Sequence, residues 1–370
     1  MGVNVVNLGD FVKIQTGKLD ANASDENGLY PFFTCAVEPL SINTYAYDCE
    51  CILIAGNGDL NVKYYNGKFN AYQRTYIIEV IDKNLDIRYL YHFLTKYINV
   101  LRQNSIGGVI KYIKLGDLTG IKLPLPPLEE QKKIVSILDK ADKIRQKKRV
   151  ANDKLDEFLK STFIDMFGDP VSNNKNIPQY SISEIGTVMT GNTPSRKVEE
   201  YYGNFIEWIK SDNINTPHTY LTQATEYLSE DGAKVGRIVP SDSILVTCIA
   251  GSFDCVGNIA LTDRDVAFNQ QINAIIPNKS MVDSKFLYTQ LLIGKKLIQD
   301  KSTKSMKGMV SKGKFETIKV IVPSLSEQNY FVDVFNNVEK QKQKNTKIIG
   351  QMDNLFNSLS QRAFKGELLK

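Results

Sequence analysis

The chain has 370 residues, of which 42% are hydrophobic and 24% are charged, and this is the composition of an ordinary globular protein. At roughly 100–200 residues per domain, the length predicts two folded domains. The net charge of +5 permits a polyanionic partner without requiring one, so the distribution of the charge matters more than its sum.

The sequence also argues against a membrane, secreted or metal-binding protein. No apolar run approaches the ~18 residues that a membrane span needs, and the N-terminal MGVNVVNLGDFVK has no signal-peptide pattern. We therefore expect a cytoplasmic protein. Its five cysteines form no CxxC pair and its two histidines offer few ligands, so we expect free thiols and no metal site.

The first 125 residues predict a mixed α/β domain. Runs rich in β-branched residues, such as CILIA at 51–55 and TYIIEVI at 75–81, predict strands. The Asn-Gly pair at 66–67 predicts a turn between them. One helix is expected at about 86–102.

Two stretches of this domain combine positive charge with tyrosine and contain no acid. Their candidate DNA-binding residues are Lys63, Lys68, Gln73 and Arg74 in NVKYYNGKFNAYQRTY, and Arg102, Lys111 and Lys114 in RQNSIGGVIKYIK. Lys and Arg on loops suit phosphate contacts, whereas side chains that reach base edges give specificity. Ordinary solvated surface is the alternative for such loops.

The phrase PLPPLEEQKK opens a long helix. Apolar residues then recur at three- and four-residue steps, and acids occupy the first turn, where the helix dipole favours them. About 40 residues would span roughly 60 Å. Because the apolar stripe is narrow and the centre KIRQKKR is polar, the helix needs a partner helix. Packing against a domain core is the alternative.

A similar motif recurs near the end of the chain as VPSLSEQNYF. There Glu327 and Gln328 take the places of Glu130 and Gln131, at an offset of 197 residues. This offset also aligns DIRYLYHFL with DSKFLYTQL without a gap. The starts of the halves, LGDFVKIQTG and ISEIGTVMTG, align at an offset of 174, so the second half carries about two dozen extra residues. A period this long indicates a duplicated domain.

The duplication predicts four segments. The first domain is expected at 1–125 and its helix at 126–168, the second domain at 169–322 and its helix at 323–370. DSILVTCIA and INAIIP predict strands of the second domain, and a helix is expected near 283–299. Each long helix is the nearest available partner for the other.

The second half has its own candidate DNA-binding residues. These are Thr193, Arg196 and Lys197 in TGNTPSRK, Gln271 in FNQQ, and Lys301, Lys304, Lys307, Lys312 and Lys314 in KSTKSMKGMVSKGK. The last stretch coincides with RQNSIGGVIKYIK under the offset of 197. Gln pairs well with adenine, but a buried turn is an equal alternative for Gln271.

Motifs for catalysis are missing from the sequence. The one Pro-Pro pair opens a helix, so it does not form the Asn/Asp-Pro-Pro-aromatic loop of a base methyltransferase. AGNGDLNVK is glycine-rich but lacks the Lys-Ser/Thr of a nucleotide-binding loop. His92 lies within an apolar pattern and His218 within an ordinary loop. We expect no enzymatic activity from the chain by itself.

With these features the sequence resembles the DNA specificity (S) subunit of type I restriction–modification systems. The resemblance covers essentially the whole chain. It rests on the doubled proline–leucine–acid–Gln start of a long helix, the TG near the start of each half, and the FIDMFGDP and LSQRAFKGEL that close the helices. It implies a mixed α/β fold with two target recognition domains, separated by two long antiparallel coiled-coil helices about a pseudo-twofold axis.

The resemblance also implies a function. Each domain would read one half of a bipartite double-stranded DNA target, while the helices set the spacing and dock two methyltransferase (M) subunits. Restriction/translocase (R) subunits would join that core. Glu130, Gln131, Glu327 and Gln328 are then the candidate docking residues. S-adenosylmethionine is expected in the methyltransferase partner and no cofactor in this chain.

Two other readings of the sequence stay open beside this one. A protein-interaction scaffold built on the coiled coil, without DNA, is the alternative from another class. A fragment of a fused restriction–methylation enzyme is the third, and the missing motifs argue against it.

Overall fold

The computed structural model describes residues 4–107, 110–303 and 308–368. The chain forms two compact units, one of Met1–Val150 with Thr346–Lys370 and the other of Ala151–Asn345. Each unit contains one sheet-based domain and part of each of the two long helices. In the described residues, no helix is both long and apolar enough to cross a membrane.

The first unit is built on a six-stranded sheet. Its strands are β1 Val5–Asn7, β2 Val12–Thr16, β3 Tyr30–Phe33, β4 Leu40–Ile42, β5 Tyr47–Ala55, β6 Val62–Ala71, β7 Thr75–Val80 and β8 Lys122–Pro124. Its helices are α1 Ile87–Asn104, α2 Leu115–Thr119 and the beginning of α3 Leu128–Phe167. The sheet order is β2-β7-β5-β6-β3-β4, and β1 pairs with β8 separately.

The central strands of this sheet are buried on both faces. Ile52 and Ile54 point to the face on which Leu90 of α1 packs, whereas Leu53 and Ile77 point to the opposite face. Successive side chains of a strand alternate between faces, so a strand covered on both sides is apolar throughout. This is why CILIA is one continuous apolar run.

The turn predicted at Asn66–Gly67 is wrong, because both residues lie inside β6. They pair with Glu50 and Cys49 of β5. Gly67 has a φ of 135°, which residues with a Cβ rarely adopt, so the glycine serves the strand rather than a turn. The chain turns instead at residues 56–61, in the glycine-rich stretch between β5 and β6.

The second unit contains two four-stranded sheets. Its strands are β9 Gln179–Ser181, β10 Gly186–Thr190, β11 Tyr202–Ile209, β12 Tyr227–Leu228, β13 Ile238–Val239, β14 Ile244–Thr247, β15 Ile249–Ala250, β16 Ile259–Leu261, β17 Val266–Phe268, β18 Ile272–Pro277, β19 Gly308–Met309 and β20 Lys319–Ile321. Its helices are α4 Ile182–Ile185, α5 Glu230–Val235, α6 Ser284–Ile293, α7 Lys295–Gln299, α8 Lys312–Glu316 and the beginning of α9 Leu325–Phe364. The sheet orders are β10-β18-β14-β16 and β12-β11-β17-β13, while β15 pairs with β19 and β9 with β20.

Both alignment offsets of the repeat recur in the hydrogen bonds. Leu8 N–H donates to Ile121 O at 2.9 Å in the first unit, and Ile182 N–H donates to Ile318 O at 3.0 Å in the second. The donors are related by the offset of 174 and the acceptors by the offset of 197. The duplicated domain predicted from the sequence is therefore present in the fold.

Steric contacts explain why a glycine follows the threonine in the TG of each half. Gly17 N–H donates to Thr75 O at 3.0 Å, and Gly191 N–H donates to Ile272 O at 3.1 Å. A Cβ on Gly17 would clash with the carbonyl group of Ala71, and one on Gly191 would clash with backbone carbonyl groups in the same way. Only glycine allows this approach of two backbones.

The two long helices pair in opposite directions within each unit. In the first unit, Ile134 near the start of α3 shares a core with Ala363 near the end of α9. In the second unit, the rings of Phe163 near the end of α3 and Phe331 near the start of α9 are 5.3 Å apart. The predicted mixed α/β fold with long antiparallel helices is confirmed.

Candidate nucleic-acid interface

Three loops of the first unit meet at one end of its six-stranded sheet: the turn between β6 and β7, the glycine-rich loop between β5 and β6, and the segment after α1. Gly56 N–H donates to Arg74 O at 2.7 Å, and Gly58 N–H donates to Lys111 O at 2.9 Å. Ile113 N–H in turn donates to Gly56 O at 3.0 Å. Backbone hydrogen bonds thus hold the loops against one another.

Four of the predicted DNA-binding residues lie on these loops. Gln73, Arg74, Lys111 and Lys114 are all exposed. Their side chains form no hydrogen bond or ion pair with any residue that the structure describes. Tyr112 is half-exposed between the two lysines. This end of the sheet therefore presents three cations and an amide that have no partner in the described chain.

The other predicted cations of the first unit have neighbours of their own. Arg102 donates to Asp59 Oδ1 at 3.1 Å and so holds the glycine-rich loop. Lys63 donates to Asn61 Oδ1, and burial lowers the pKa of its ammonium group. Lys68 is exposed, and its ammonium lies 4.6 Å from the centre of a tyrosine ring. Arg102 and Lys63 support the loop, so we leave them out of the candidate interface.

In the second unit, Gln271 takes the position that Arg74 holds in the first, under the offset of 197. Its N–H donates to Asn269 Oδ1 at 3.0 Å, and its Oε1 accepts from Asn269 Nδ2 at 3.2 Å. Thr193 donates its hydroxyl to Gln270 Oε1 beside it. Because Gln271 is half-buried and bonded within its own loop, the turn interpretation fits it better than a base contact.

Arg196 and Lys197 lie on the loop that follows β10. The guanidinium of Arg196 lies over the rings of Tyr202 and Trp208, 4.3 and 5.0 Å from their centres. It also forms an ion pair with Glu226 at 2.5 Å. Lys197 is exposed and has no ion pair in the described part of the chain. Arg196 is therefore held by contacts within its own domain, whereas Lys197 has no ion pair with the described residues.

The lysine-rich stretch of the second half is described in part. Lys304 and Lys307 lie outside the described residues. Lys301 and Lys314 are exposed and form no ion pair with the described residues. Lys312 forms an i,i+4 ion pair of 3.5 Å within α8. DNA contact by these lysines stays a prediction.

The docking role predicted for Gln131 needs correction, because its side chain is fully buried within this chain. Its Nε2 donates to Pro126 O at 2.8 Å and to Asn84 O at 2.7 Å. Its Oε1 accepts from Asp86 N–H at 2.8 Å. The side chain therefore connects the start of α3 to the residue that caps α1, and no part of it is available to a partner.

Gln328 needs the same correction. It is also fully buried, and its Nε2 donates to Pro323 O at 2.9 Å and to Met281 O at 3.0 Å. Its Oε1 accepts from Asp283 N–H at 2.8 Å. The separation of 45 residues between aspartate and glutamine recurs in both halves, and it is the signal from which this link could have been predicted.

The glutamates of the same motif are exposed. Glu327 Oε2 accepts from Ser324 N–H at 3.0 Å and so caps the start of α9. Glu130 is exposed in the first turn of α3 and has no hydrogen bond or ion pair from its carboxylate in the described residues. Docking of a partner at these two glutamates stays a prediction.

The two histidines lie in different environments. His92 is buried, and its ring N–H at Nε2 donates to Asp139 Oδ1 at 2.7 Å. Burial lowers the pKa of His92, although the hydrogen bond with Asp139 acts in the opposite direction. His218 is exposed on a loop. Over the described residues, no three His, Cys, Asp or Glu side chains are grouped as a metal ion requires.

The family described as the type I restriction modification DNA specificity domain matches residues 1–153 and 174–351. The two matches cover most of the chain, one in each half. The chain therefore belongs to this family.

Individual relatives are specificity subunits of type I restriction enzymes. Over 134 residues the chain is 48% identical to the type I restriction enzyme EcoDI specificity subunit of Escherichia coli, which covers 36% of this chain and 30% of that subunit. It is 24% identical over 315 residues to the MjaVIII specificity subunit of Methanocaldococcus jannaschii, which covers 78% and 74%. The match thus spans less than a third of the length of the first relative and about three-quarters of the second.

Two solved structures share the fold. The type I restriction–modification S subunit from M. genitalium superposes with a TM-score of 0.58 at 16% identity, over 98% of this chain and 96% of that one. A chain from a structural study of complex assembly and conformational transition of the type I R-M system gives a TM-score of 0.54 at 15% identity, over 99% and 98%. At these identities the likeness concerns the fold.

Proposed function

We propose that this chain is the sequence-specific DNA-recognition and scaffold subunit of a type I restriction–modification complex. Each domain reads one half of a bipartite double-stranded DNA target. The observation that carries the proposal is a group of exposed side chains at one end of the first sheet, Gln73, Arg74, Lys111 and Lys114, which have no ion pair with the described residues. Membership in the DNA specificity family supports it.

The chemistry of these side chains suits duplex DNA. Lys111 and Lys114 are placed to contact phosphates, which fixes the register of the protein on the duplex. Arginine pairs with guanine and glutamine with adenine through two hydrogen bonds each, so Arg74 and Gln73 on neighbouring positions are candidates for base contacts. The backbone bonds between the loops hold these side chains on a rigid support.

In this proposal the chain itself performs no catalysis and acts in the cytoplasm. It docks two methyltransferase subunits, which bind S-adenosylmethionine, and restriction/translocase subunits join that assembly. The exposed Glu130 and Glu327 at the starts of α3 and α9 are the docking residues that remain after the two buried glutamines are excluded. A purified chain that transferred a labelled methyl group to DNA without a partner would contradict this assignment.

The test of DNA binding is its dependence on salt. We compare the triple variant R74A/K111A/K114A with the wild type on a duplex of mixed sequence. Loss of the two phosphate contacts of Lys111 and Lys114 should make the slope of log K against log salt less negative by about 2, and loss of Arg74 removes a base contact as well. The matched control is K133A/K140A/K143A, which removes three exposed lysines of α3 in the same unit. It should keep the wild-type slope.

Two results would count against the interface. An unchanged slope in the first variant would show that these loops are ordinary surface, and equal changes in both variants would show that only net charge matters. A wild-type chain without salt-dependent binding to duplex DNA would favour the alternative of a protein-interaction scaffold built on the coiled coil.

A further inference from the structure

The second unit covers one edge of its sheet with its own loop. Residues 219–221 run parallel to β16, where Leu261 N–H donates to Thr219 O at 2.9 Å and Leu221 N–H donates to Leu261 O at 3.1 Å. Thr219 is buried, and its hydroxyl donates to Glu339 Oε1 of α9 at 2.8 Å. The segment at 219–221 therefore joins the edge of the sheet to a long helix.

The first unit has the same edge but not the loop. Tyr64 of β6 corresponds to Leu261, because Tyr64 pairs with Ile52 as Leu261 pairs with Ile244. The connection from β11 to β12 runs over residues 210–226 and supplies the segment at 219–221. The corresponding connection from β3 to β4 is short and runs from the end of β3 at residue 33 to residue 40. It forms no strand along β6 at Tyr64.

The backbone of Tyr64 is free to accept a strand. Ala55 N–H donates to Asn61 O at 3.1 Å, so the hydrogen-bonded pairs between β5 and β6 involve alternate residues, including Lys63 and Tyr65. The N–H and C=O of Tyr64 therefore point away from β5. In the described residues no strand pairs with them, and an edge of this kind readily adds an extended peptide.

A cleft of about 450 Å³ lies beside Tyr91, whose ring is 6.1 Å from that of Tyr64. Its walls come from α1, α3 and α9 and include Asp142, Arg145 and Asp353. Arg145 forms ion pairs with both acids, with its Nε 2.9 Å from Asp353 Oδ1 and its Nη1 3.7 Å from Asp142 Oδ1. The cleft thus has room beside ion-paired side chains.

The corresponding place in the second unit is filled. Under the offset of 197, Tyr91 corresponds to Tyr288 and Asp142 to Glu339. Tyr288 is 5% exposed and Glu339 9% exposed, in a region where Thr219 donates its hydroxyl to Glu339. The two units therefore differ at this equivalent position. The second unit fills it with its own segment at 219–221, whereas the first unit leaves it open.

We propose that the Tyr64 edge of β6 and the cleft at Asp142 form a docking site for an extended segment of a partner protein. The segment pairs in parallel with β6 and donates a hydroxyl to Asp142, as the segment at 219–221 does to its glutamate. A Ser or Thr followed by two apolar residues fits this position. The charges that line the cleft balance, since Lys96 and Arg145 stand beside two acids, so nothing there attracts a phosphate backbone. Main-chain pairing along the edge of β6 suits an extended protein segment instead.

The probe is a labelled peptide with the sequence of residues 215–224, NTPHTYLTQA, titrated into the full chain without DNA. Saturable binding is expected, and a peptide with Val in place of its second Thr should bind about tenfold more weakly. The variant Asp142→Ala should weaken binding by a similar factor, because it removes the carboxylate that accepts this hydroxyl. The matched control is Asp153→Ala, an exposed acid elsewhere on α3.

Amide hydrogen exchange on the wild-type chain tests the backbone contact independently of any variant. The peptide should slow exchange at Tyr64 and leave Leu261 unchanged. No saturable binding up to about 1 mM peptide, equal binding to Asp142→Ala and wild type, or unchanged exchange at Tyr64 would each overturn the proposal. Because the assay contains no DNA, these outcomes leave the proposed DNA recognition untouched.

Discussion

Gln131 and Gln328 each connect three backbone groups that are distant along the chain. Through one buried amide, the proline before a long helix is joined to a loop carbonyl and to the aspartate that caps the helix of the domain. Asp86 in turn accepts from the N–H groups of Arg88 and Tyr89 at the start of α1. One buried side chain therefore links the domain to the start of its long helix in each half.

The variant Gln131→Ala should lower the free energy of unfolding by about 2–4 kcal/mol, because it leaves two carbonyl groups and one N–H buried without partners. Urea unfolding followed by circular dichroism measures the change. The control is Gln361→Ala, an exposed glutamine on α9, which should change stability by less than about 0.5 kcal/mol. Equal effects of the two variants would show that the amide does not make the connection.

His92 should make stability depend on pH. Burial lowers the pKa of its folded state below 6.5, so the unfolded chain binds this proton first as the pH falls. The stabilisation is complete above about pH 6.5 and is lost as the pH falls toward the folded pKa. The variant His92→Gln keeps an N–H for Asp139 but does not titrate, so its unfolding free energy should fall less between pH 7.5 and 5.5.

The control for this prediction is the exposed His218, since His218→Gln should keep the wild-type dependence on pH. A His92→Gln variant whose stability changes with pH as steeply as that of the wild type would show that the buried imidazole does not contribute.

At the scale of the elements, α3 and α9 repeat one ion pair. Arg145 Nε lies 2.9 Å from Asp353 Oδ1 in the first unit, and Lys342 Nζ lies 2.7 Å from Asp156 Oδ1 in the second. Under the offset of 197, Arg145 corresponds to Lys342 and Asp156 corresponds to Asp353, so the two ion pairs are equivalent. Burial alone would lower the pKa of Lys342, but Asp156 and a neighbouring glutamate raise it, so the lysine stays charged. Each unit thus has an ion pair between the two antiparallel helices that favours one register.

If these helices set the gap between the half-sites, their length should control it. Four residues inserted near Lys147 and four near Lys344 add about 6 Å to each helix. DNA rises about 3.4 Å per base pair, so the gap in the methylated motif should lengthen by one or two pairs while both half-sites stay the same. The measurement is the methylated motif of the variant, determined across a genome.

An insertion in one helix alone is the control for length. It lengthens one helix between its two ion-paired residues, so the two ion pairs cannot both keep their register, and we expect loss of methylation rather than a new gap. A double insertion that stays active with an unchanged gap would contradict a spacing role for the helices.

At the scale of the whole molecule, the duplication could be predicted because it repeats local patterns: strand alternation, helix-starting prolines and helical apolar steps. What sequence alone did not reveal depends on contacts between distant residues. The sequence predicted Arg102 and Arg196 as DNA-binding residues, yet each forms an ion pair with an acid in another part of its domain. Likewise the extra residues of the second half were visible as a change of offset, but their contact with Glu339, 120 residues away, was not.

In the proposed function, each domain reads its own half of a split DNA target. The direct measurement is the methylated motif in a cell that carries this chain and its methyltransferase partner, before and after residues 169–322 are replaced by the corresponding domain of another specificity subunit. One half of the motif should change, while the other half and the gap stay the same. A change in both halves, or a motif that is not bipartite, would contradict it.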